Sequence, residues 1–557
     1  MSLTPQPSTF NQRNAWLFPL CALGCYWAVL IYYLGAQWSV YEEYNYGWAV
    51  PFLCLYLLWR SVVQASQPAR SSGIPAAEAS AFHPPTSLLY LLLAICALLY
   101  APTRFLHEAN PTWRLTSLLW TLEVIGLTLL TLQLVLGRSA QRTSDFGLRT
   151  SDFIFPFCFF LVAVPWPSGL ENLVVHSLMR SNVSATVELL ALFGVPAVQH
   201  GNVIEVGTGV VGIDEACSGI RSLQATLMIA LFLGELYRLR VLPRIWLIVL
   251  GFVLAFLFNV GRTLLLTGIA SAKGVRAVAS WHDPTGVTIL VACFLSLWLS
   301  ALWLKRRTGV SPLPVLSAGP VFGRSRSFGV SLCLLAWFLV VEAGTEFWYR
   351  LHERGVQHQP EWSVQWPKNQ PAFQVADVSP GIRGQFRYDE GTQARWQDAA
   401  GNSWQLYYFR WFPAHSLQNR VAIQLAKTHG PEKCLPAAGM TLHAYLGVVT
   451  VPVAGMELAM QQYVFDAEGR TLHVFYGIYE DPTGSGVLAN RRKDCASRVA
   501  AALAGSRNYG QRFLEVAVVG CERPEDAQAL LARELTTLIR PQSPPGGYET
   551  LVHKTAD

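Results

Sequence analysis

Residues 243–265 read Pro243-Arg-Ile-Trp-Leu-Ile-Val-Leu-Gly-Phe-Val-Leu-Ala-Phe-Leu-Phe-Asn259-Val-Gly-Arg262-Thr-Leu-Leu265. A helix that crosses a bilayer needs roughly 20 mostly apolar residues, range about 17–25, and this run has that length. Arg244 heads it, and Arg262 lies near its far end. About eight more runs meet the same ruler. They lie near residues 15–35, 46–64, 86–102, 116–137, 151–167, 219–237, 284–304 and 327–345. The spacing therefore predicts a polytopic α-helical membrane protein with about nine transmembrane helices. The run at 151–167 contains Pro156 and ends at Pro165-Trp-Pro167, so a kinked or interfacial segment is expected there.

Composition agrees with this reading. The chain has 557 residues, 52% hydrophobic and 14% charged, where a soluble protein carries about a quarter charged residues. The shortfall is concentrated in residues 1–345, the expected membrane domain. Nineteen Trp, 20 Tyr and 28 Phe supply interfacial belts. The net charge of +6 comes from short basic clusters between apolar runs. These read as topology signals and not as a nucleic-acid face. The loops after the second, fourth, sixth and eighth runs carry Arg60 and Arg70; Arg138, Arg142 and Arg149; Arg238, Arg240 and Arg244; and Lys305-Arg306-Arg307. Such loops belong in the cytoplasm. The expected topology has the N-terminus inside and the C-terminal domain outside. The first run reads as an uncleaved signal anchor. Cys21, Cys25, Cys54, Cys96, Cys293 and Cys333 lie inside apolar runs and read as small buried hydrophobes.

Residues 168–218 form a long outer loop. Leu170 to Leu192 has the mixed spacing of an amphipathic helix lying on the membrane, and Val203 to Ile213 alternates around Gly pairs, as a small hairpin would. Asn182-Val-Ser184 matches a glycosylation acceptor, a short motif that carries little weight. After Glu346 no run of membrane length remains before residue 545. Short β-type stretches such as Trp404 to Trp411 and Leu472 to Tyr479 alternate with turns, and helical patterns follow at Arg491–Ala504 and Arg523–Leu538. Residues 346–545 are expected to form an extracytoplasmic α+β domain, and residues 546–557 a loose tail.

Three polar residues stand out against the apolar background. Cys217, in Asp214-Glu-Ala-Cys217-Ser218-Gly219-Ile-Arg221, is expected within the first turn of the sixth span, where unpaired N–H groups and the helix dipole favour a thiolate. Arg262 is expensive in an apolar helix unless it snorkels or pairs. His282, before the eighth span, suits general base and acid work near neutral pH. Asp283 either orients a ring or caps the helix. Each residue also has an ordinary reading: a buried thiol, a snorkelling arginine, an interfacial histidine. The topology puts all three at one membrane face, and a nucleophile, a base and a cationic stabiliser are the parts that acyl transfer needs.

The set Glu215-Ala-Cys217-Ser218-Gly219-Ile-Arg221-Ser-Leu, Asn259-x-x-Arg262 and His282-x-x-x-Gly286 resembles the exosortase/archaeosortase family over roughly residues 15–310. The resemblance implies catalytic roles for Cys217, Arg262 and His282, with Ser218, Gly219, Arg221, Asn259 and Asp283 in support. It implies a membrane-embedded cysteine protease or transpeptidase of the bacterial inner membrane. Its substrates would be exported proteins with a C-terminal signal of motif, transmembrane helix and basic cluster, linked to exopolysaccharide production. No cofactor is implied, and no His/Cys/Asp set has zinc spacing. In the outer domain, Lys427-Thr-His429-Gly-Pro-Glu432-Lys-Cys434-Leu-Pro436-Ala-Ala-Gly439 is similar to the exosortase-associated periplasmic domain. His429 and Cys434 are a possible second thiol site there. A packed cysteine, or a disulfide from Cys434 to Cys495 or Cys521, is the alternative. Two other functions fit a polytopic chain: a component of polysaccharide or lipid-linked-glycan transport, and a non-catalytic scaffold.

Overall fold

The computed structural model describes residues 17–65, 85–136, 151–200, 203–207, 209–212, 219–274, 277–308, 326–353, 361–378, 380–413, 416–437, 440–467, 469–483, 485–489, 494–507 and 509–542. The chain divides into two compact units, Met1–Trp348 and Tyr349–Asp557.

The first unit is helical. α1 (Leu17–Val40) leads through a 3-10 segment (Glu42–Ala49) into α2 (Val50–Ala65). α3 (Thr86–Ala109) and α4 (Arg114–Leu136) follow. α5 (Ser151–Phe159) runs into a short 3-10 turn and then α6 (Ser168–Leu192). After a small sheet come α7 (Ile220–Leu236), α8 (Val241–Lys273), α9 (Val278–Thr308) and α10 (Arg326–Glu353). Among the described residues, seven helical stretches are long and apolar enough to cross a membrane, or eight if the bent pair Asp152–Ala163 and Ser168–Leu192 counts as one span. Every one of the predicted runs is helical. α7, with 17 residues, sits at the short end of the length that crosses a bilayer. The run at 151–167 breaks because Val164, before Pro165, is forced into extended backbone (φ −83°, ψ 126°), and α6 leaves at 68° to what precedes it. Apolar side chains such as Phe52, Leu257 and Val287 are exposed on these helices, which is the surface that lipid covers. Of the cysteines read as buried, Cys54 and Cys293 are buried, whereas Cys21 and Cys333 face outward.

α6 turns Glu171, Val175, Met179, Asn182, Val183, Thr186 and Leu190 inward, a stripe at helical spacing. The hairpin expected over 203–213 is a three-stranded antiparallel sheet, β1 (Ala197–His200), β2 (Val203–Val206) and β3 (Gly209–Gly212). Ile204 and Val206 of β2 are buried with Val183 and Leu190 of α6 and Ala270 of α8. The sheet thus wedges α6 against α8.

The second unit is an α+β fold around a seven-stranded antiparallel sheet, whose strands run in the spatial order Gln374–Ala376, Glu390–Gln397, Ser403–Trp411, Gln511–Val519, Arg470–Glu480, Met456–Ala467 and Thr441–Val453. Side chains alternate across the pleat. Leu514, Val516 and Val518 join Leu531 and Leu535 of the helix Pro524–Leu538 on one face. Phe513 joins Phe409, Tyr476 and Ile423 on the other, beneath helices Pro380–Phe386 and Leu417–Ala426. At one end of the sheet, Asp481 accepts from Arg410 (2.8 and 3.0 Å) and from Arg512 (2.8 Å).

Candidate active site

α7 opens at Gly219, which takes φ +85°, ψ 0° as the N-cap. That left-handed conformation favours glycine. Cys217 and Ser218 themselves lie outside the described residues. The Gly219 position is crowded as well: a Cβ there would sit 2.8 Å from Asn259 Nδ2. The turn two residues after Cys217 thus rests on the residue three before Arg262.

Arg262 projects from α8 towards α9. Its Nη2 lies 3.1 Å from His282 Nε2 and donates to the His282 carbonyl oxygen at 3.2 Å. A guanidinium carries only donors, so the facing ring nitrogen accepts, and the ring proton sits on Nδ1. Gly286, one turn beyond His282, lines the Arg262 guanidinium: a Cβ there would lie 3.4 Å from Nη2 and 3.6 Å from Cζ, at ordinary contact distance. Arg262 Nε is shut off from solvent and has no acceptor among the described residues. Leaving a buried N–H unmet costs about 1–3 kcal/mol, and an anion is what such a donor accommodates best.

The structure relocates two expected features. His282 lies inside α9, which begins at Val278, and not ahead of the helix. Asp283 is consequently within the helix and is not its cap. Arg221, in the first turn of α7, forms an exposed pair with Glu42 (2.5 Å; side chains 44% and 62% exposed), which is worth little in stability. In the second unit, His429 directs Nδ1 at the Leu425 carbonyl (3.2 Å) and lies edge-on to Phe386. Its own carbonyl accepts from Tyr476 Oη (2.8 Å). Lys427 pairs with Glu480. These contacts fasten the Lys427–Cys434 stretch to the sheet. Cys434 and Cys495 are exposed, Cys521 is buried, and among the described residues no disulfide joins these three.

Two participants escaped the sequence reading. Gly286 was part of a motif without a role. Asn182 of α6 donates from Nδ2 to Thr263 Oγ1 (2.8 Å), beside Arg262. The available signal was the spacing Asn259, Thr263, Thr267, a polar stripe four residues apart along an otherwise apolar helix.

The model of the transmembrane exosortase family (Exosortase_EpsH) matches residues 38–299. This membrane domain belongs to the transmembrane exosortase family. The exosortase match contains Gly219, Asn259, Arg262, His282 and Gly286, and ends before α10 and the second unit. No curated protein and no solved structure matches the chain.

Proposed function

We propose that this exosortase domain is a cysteine transpeptidase or protease that cleaves C-terminal sorting signals of exported proteins at the outer face of the bacterial inner membrane. The observation that carries the reading is the contact of Arg262 with His282 across two helices, made by a guanidinium whose buried Nε finds no acceptor among the described residues. Cys217 is the nucleophile. His282 Nε2 exchanges its hydrogen bond from Arg262 for the thiol proton, giving an imidazolium and a thiolate. The guanidinium, its acceptor gone, turns to the sulfur anion. The sulfur then attacks the scissile carbonyl, and Arg262 donates to the oxyanion of the tetrahedral intermediate. Collapse breaks the C–N bond, and the imidazolium protonates the departing amine. Water or an amine acceptor resolves the thioester. The N-terminus is cytoplasmic in this reading. Residues 346–545 are an exosortase-associated domain on the outer side, with a link to exopolysaccharide production.

Cys217→Ala, expressed beside a substrate carrying motif, helix and basic tail, is expected to insert normally and to abolish processing. Full processing by that variant would remove Cys217 as nucleophile.

A further inference from the structure

We propose that Asn182 of α6 is a positioning residue that sets Arg262 against His282; the inference rests on the catalytic reading of that pair. Asn182 is fully buried (0% exposed) on the inward stripe of α6. An amide there is unfavourable unless it is bonded. Its Nδ2 donates to Thr263 Oγ1 at 2.8 Å, and Thr263 Oγ1 donates to the Asn259 carbonyl at 3.1 Å. The hydroxyl proton is thereby committed, so Thr263 can only accept from α6. The bond has one polarity, which an amide nitrogen satisfies and an aspartate does not.

This relay ends on the segment of α8 that bears the site. Asn259 packs on Gly219, and Arg262 adjoins Thr263 in sequence. The bond to Asn182 fixes the rotation of α8 about its axis at that level. That rotation decides whether Nη2 meets His282 Nε2. The wedge of Ile204 and Val206 against Val183 and Leu190 holds α6 itself in place. Asn182 Oδ1 is buried with no donor among the described residues. Packing alone would favour an apolar residue over a half-satisfied amide.

The test is a double-mutant cycle on the full chain, with Asn182→Leu and Thr263→Val, each close in volume to the residue it replaces. Processing is followed as kcat, KM and pH profile, with the amount of inserted protein measured beside it. The expected result is a fall in kcat of about tenfold or more for either variant. KM should hold, the pH profile should move as the Arg262–His282 contact loosens, and the double variant should be no worse than either single one. Thr263→Ser, which keeps the hydroxyl, should restore the rate. Unchanged kcat and pH profile in Asn182→Leu, or losses that multiply in the double variant, would overturn the inference. A Cys217→Ala variant that still processes substrate would instead overturn the catalytic reading on which it rests.

Discussion

Two arginines in the membrane unit face apolar surroundings, and they are treated in opposite ways. Arg104 of α3 is 4% exposed, and each of its three nitrogens meets an acceptor. Nη1 donates to Glu108 Oε2 at 2.6 Å, Nε to both oxygens of Glu342 at 3.1 Å, and Nη2 to Tyr33 Oη at 2.6 Å. Tyr100 closes the cluster on Glu342 (2.6 Å), and the Tyr33 ring lies 4.4 Å from the guanidinium carbon. Among the described residues, Arg262 has a histidine as its side-chain partner, no carboxylate, and no acceptor for its buried Nε. A charge with all its acceptors in place is a structural knot. A charge held open is available to an anion that arrives later. The Arg104 knot joins α1, α3 and α10, whereas Arg262 and His282 face one another across α8 and α9.

The contrast is sharpened by substituting each arginine in turn. Arg262→Lys should lower kcat by about 10²–10³-fold, because a point charge cannot hold ring nitrogen and oxyanion with a rigid fork. Its melting temperature in detergent should barely move. Near wild-type turnover would reduce Arg262 to a snorkelling side chain. Arg104→Leu should do the reverse. It strands Glu108 and Glu342 and should destabilise the bundle by about 3–5 kcal/mol, read by denaturation in detergent, with turnover per folded molecule retained. A turnover loss without a stability loss would erase the distinction between the two sites. Gly219→Ala is intermediate. The left-handed backbone costs about 1–2 kcal/mol for an L residue, and the new methyl pushes Asn259 away. Activity should therefore fall more than melting temperature.

The smallest effect lies in the second unit, at the partly buried Glu515. Burial, with the Glu432 carboxylate adding to it, pushes Glu515 up to about 7. The native state holds this proton over a range where the unfolded chain has released it. The contribution to stability is full below the ordinary glutamate value and is lost as pH rises through about 7. Glu515→Gln should flatten the decline in melting temperature between pH 5 and pH 8. An unchanged slope would contradict the shift.

The helical membrane fold was legible because apolar length is a local property, and each run of bilayer length became a helix. Boundaries were less so. Pro284 invites a helix start just before it, since proline suits a first turn, yet α9 begins six residues earlier. Strand β1 was missed because Ala-Val-Gln-His is short and half polar, and it earns its place only by pairing with β2. Arg262 and His282 were conspicuous as polar groups in apolar surroundings, and the structure brings them to 3.1 Å. Asn182 was not conspicuous, because its meaning lies in a partner 81 residues away. No periodicity encodes that contact.

The central claim is that the sulfur of Cys217 meets the Arg262–His282 pair at one site. Replacing His282 by Cys, in a chain whose other cysteines except Cys217 are removed, tests it most directly. Mild oxidation in the membrane is expected to join the two thiols within one chain, as it should for a control pair at Asn182 and Thr263. A control pair that links while Cys217 and the thiol at 282 stay apart would contradict the account.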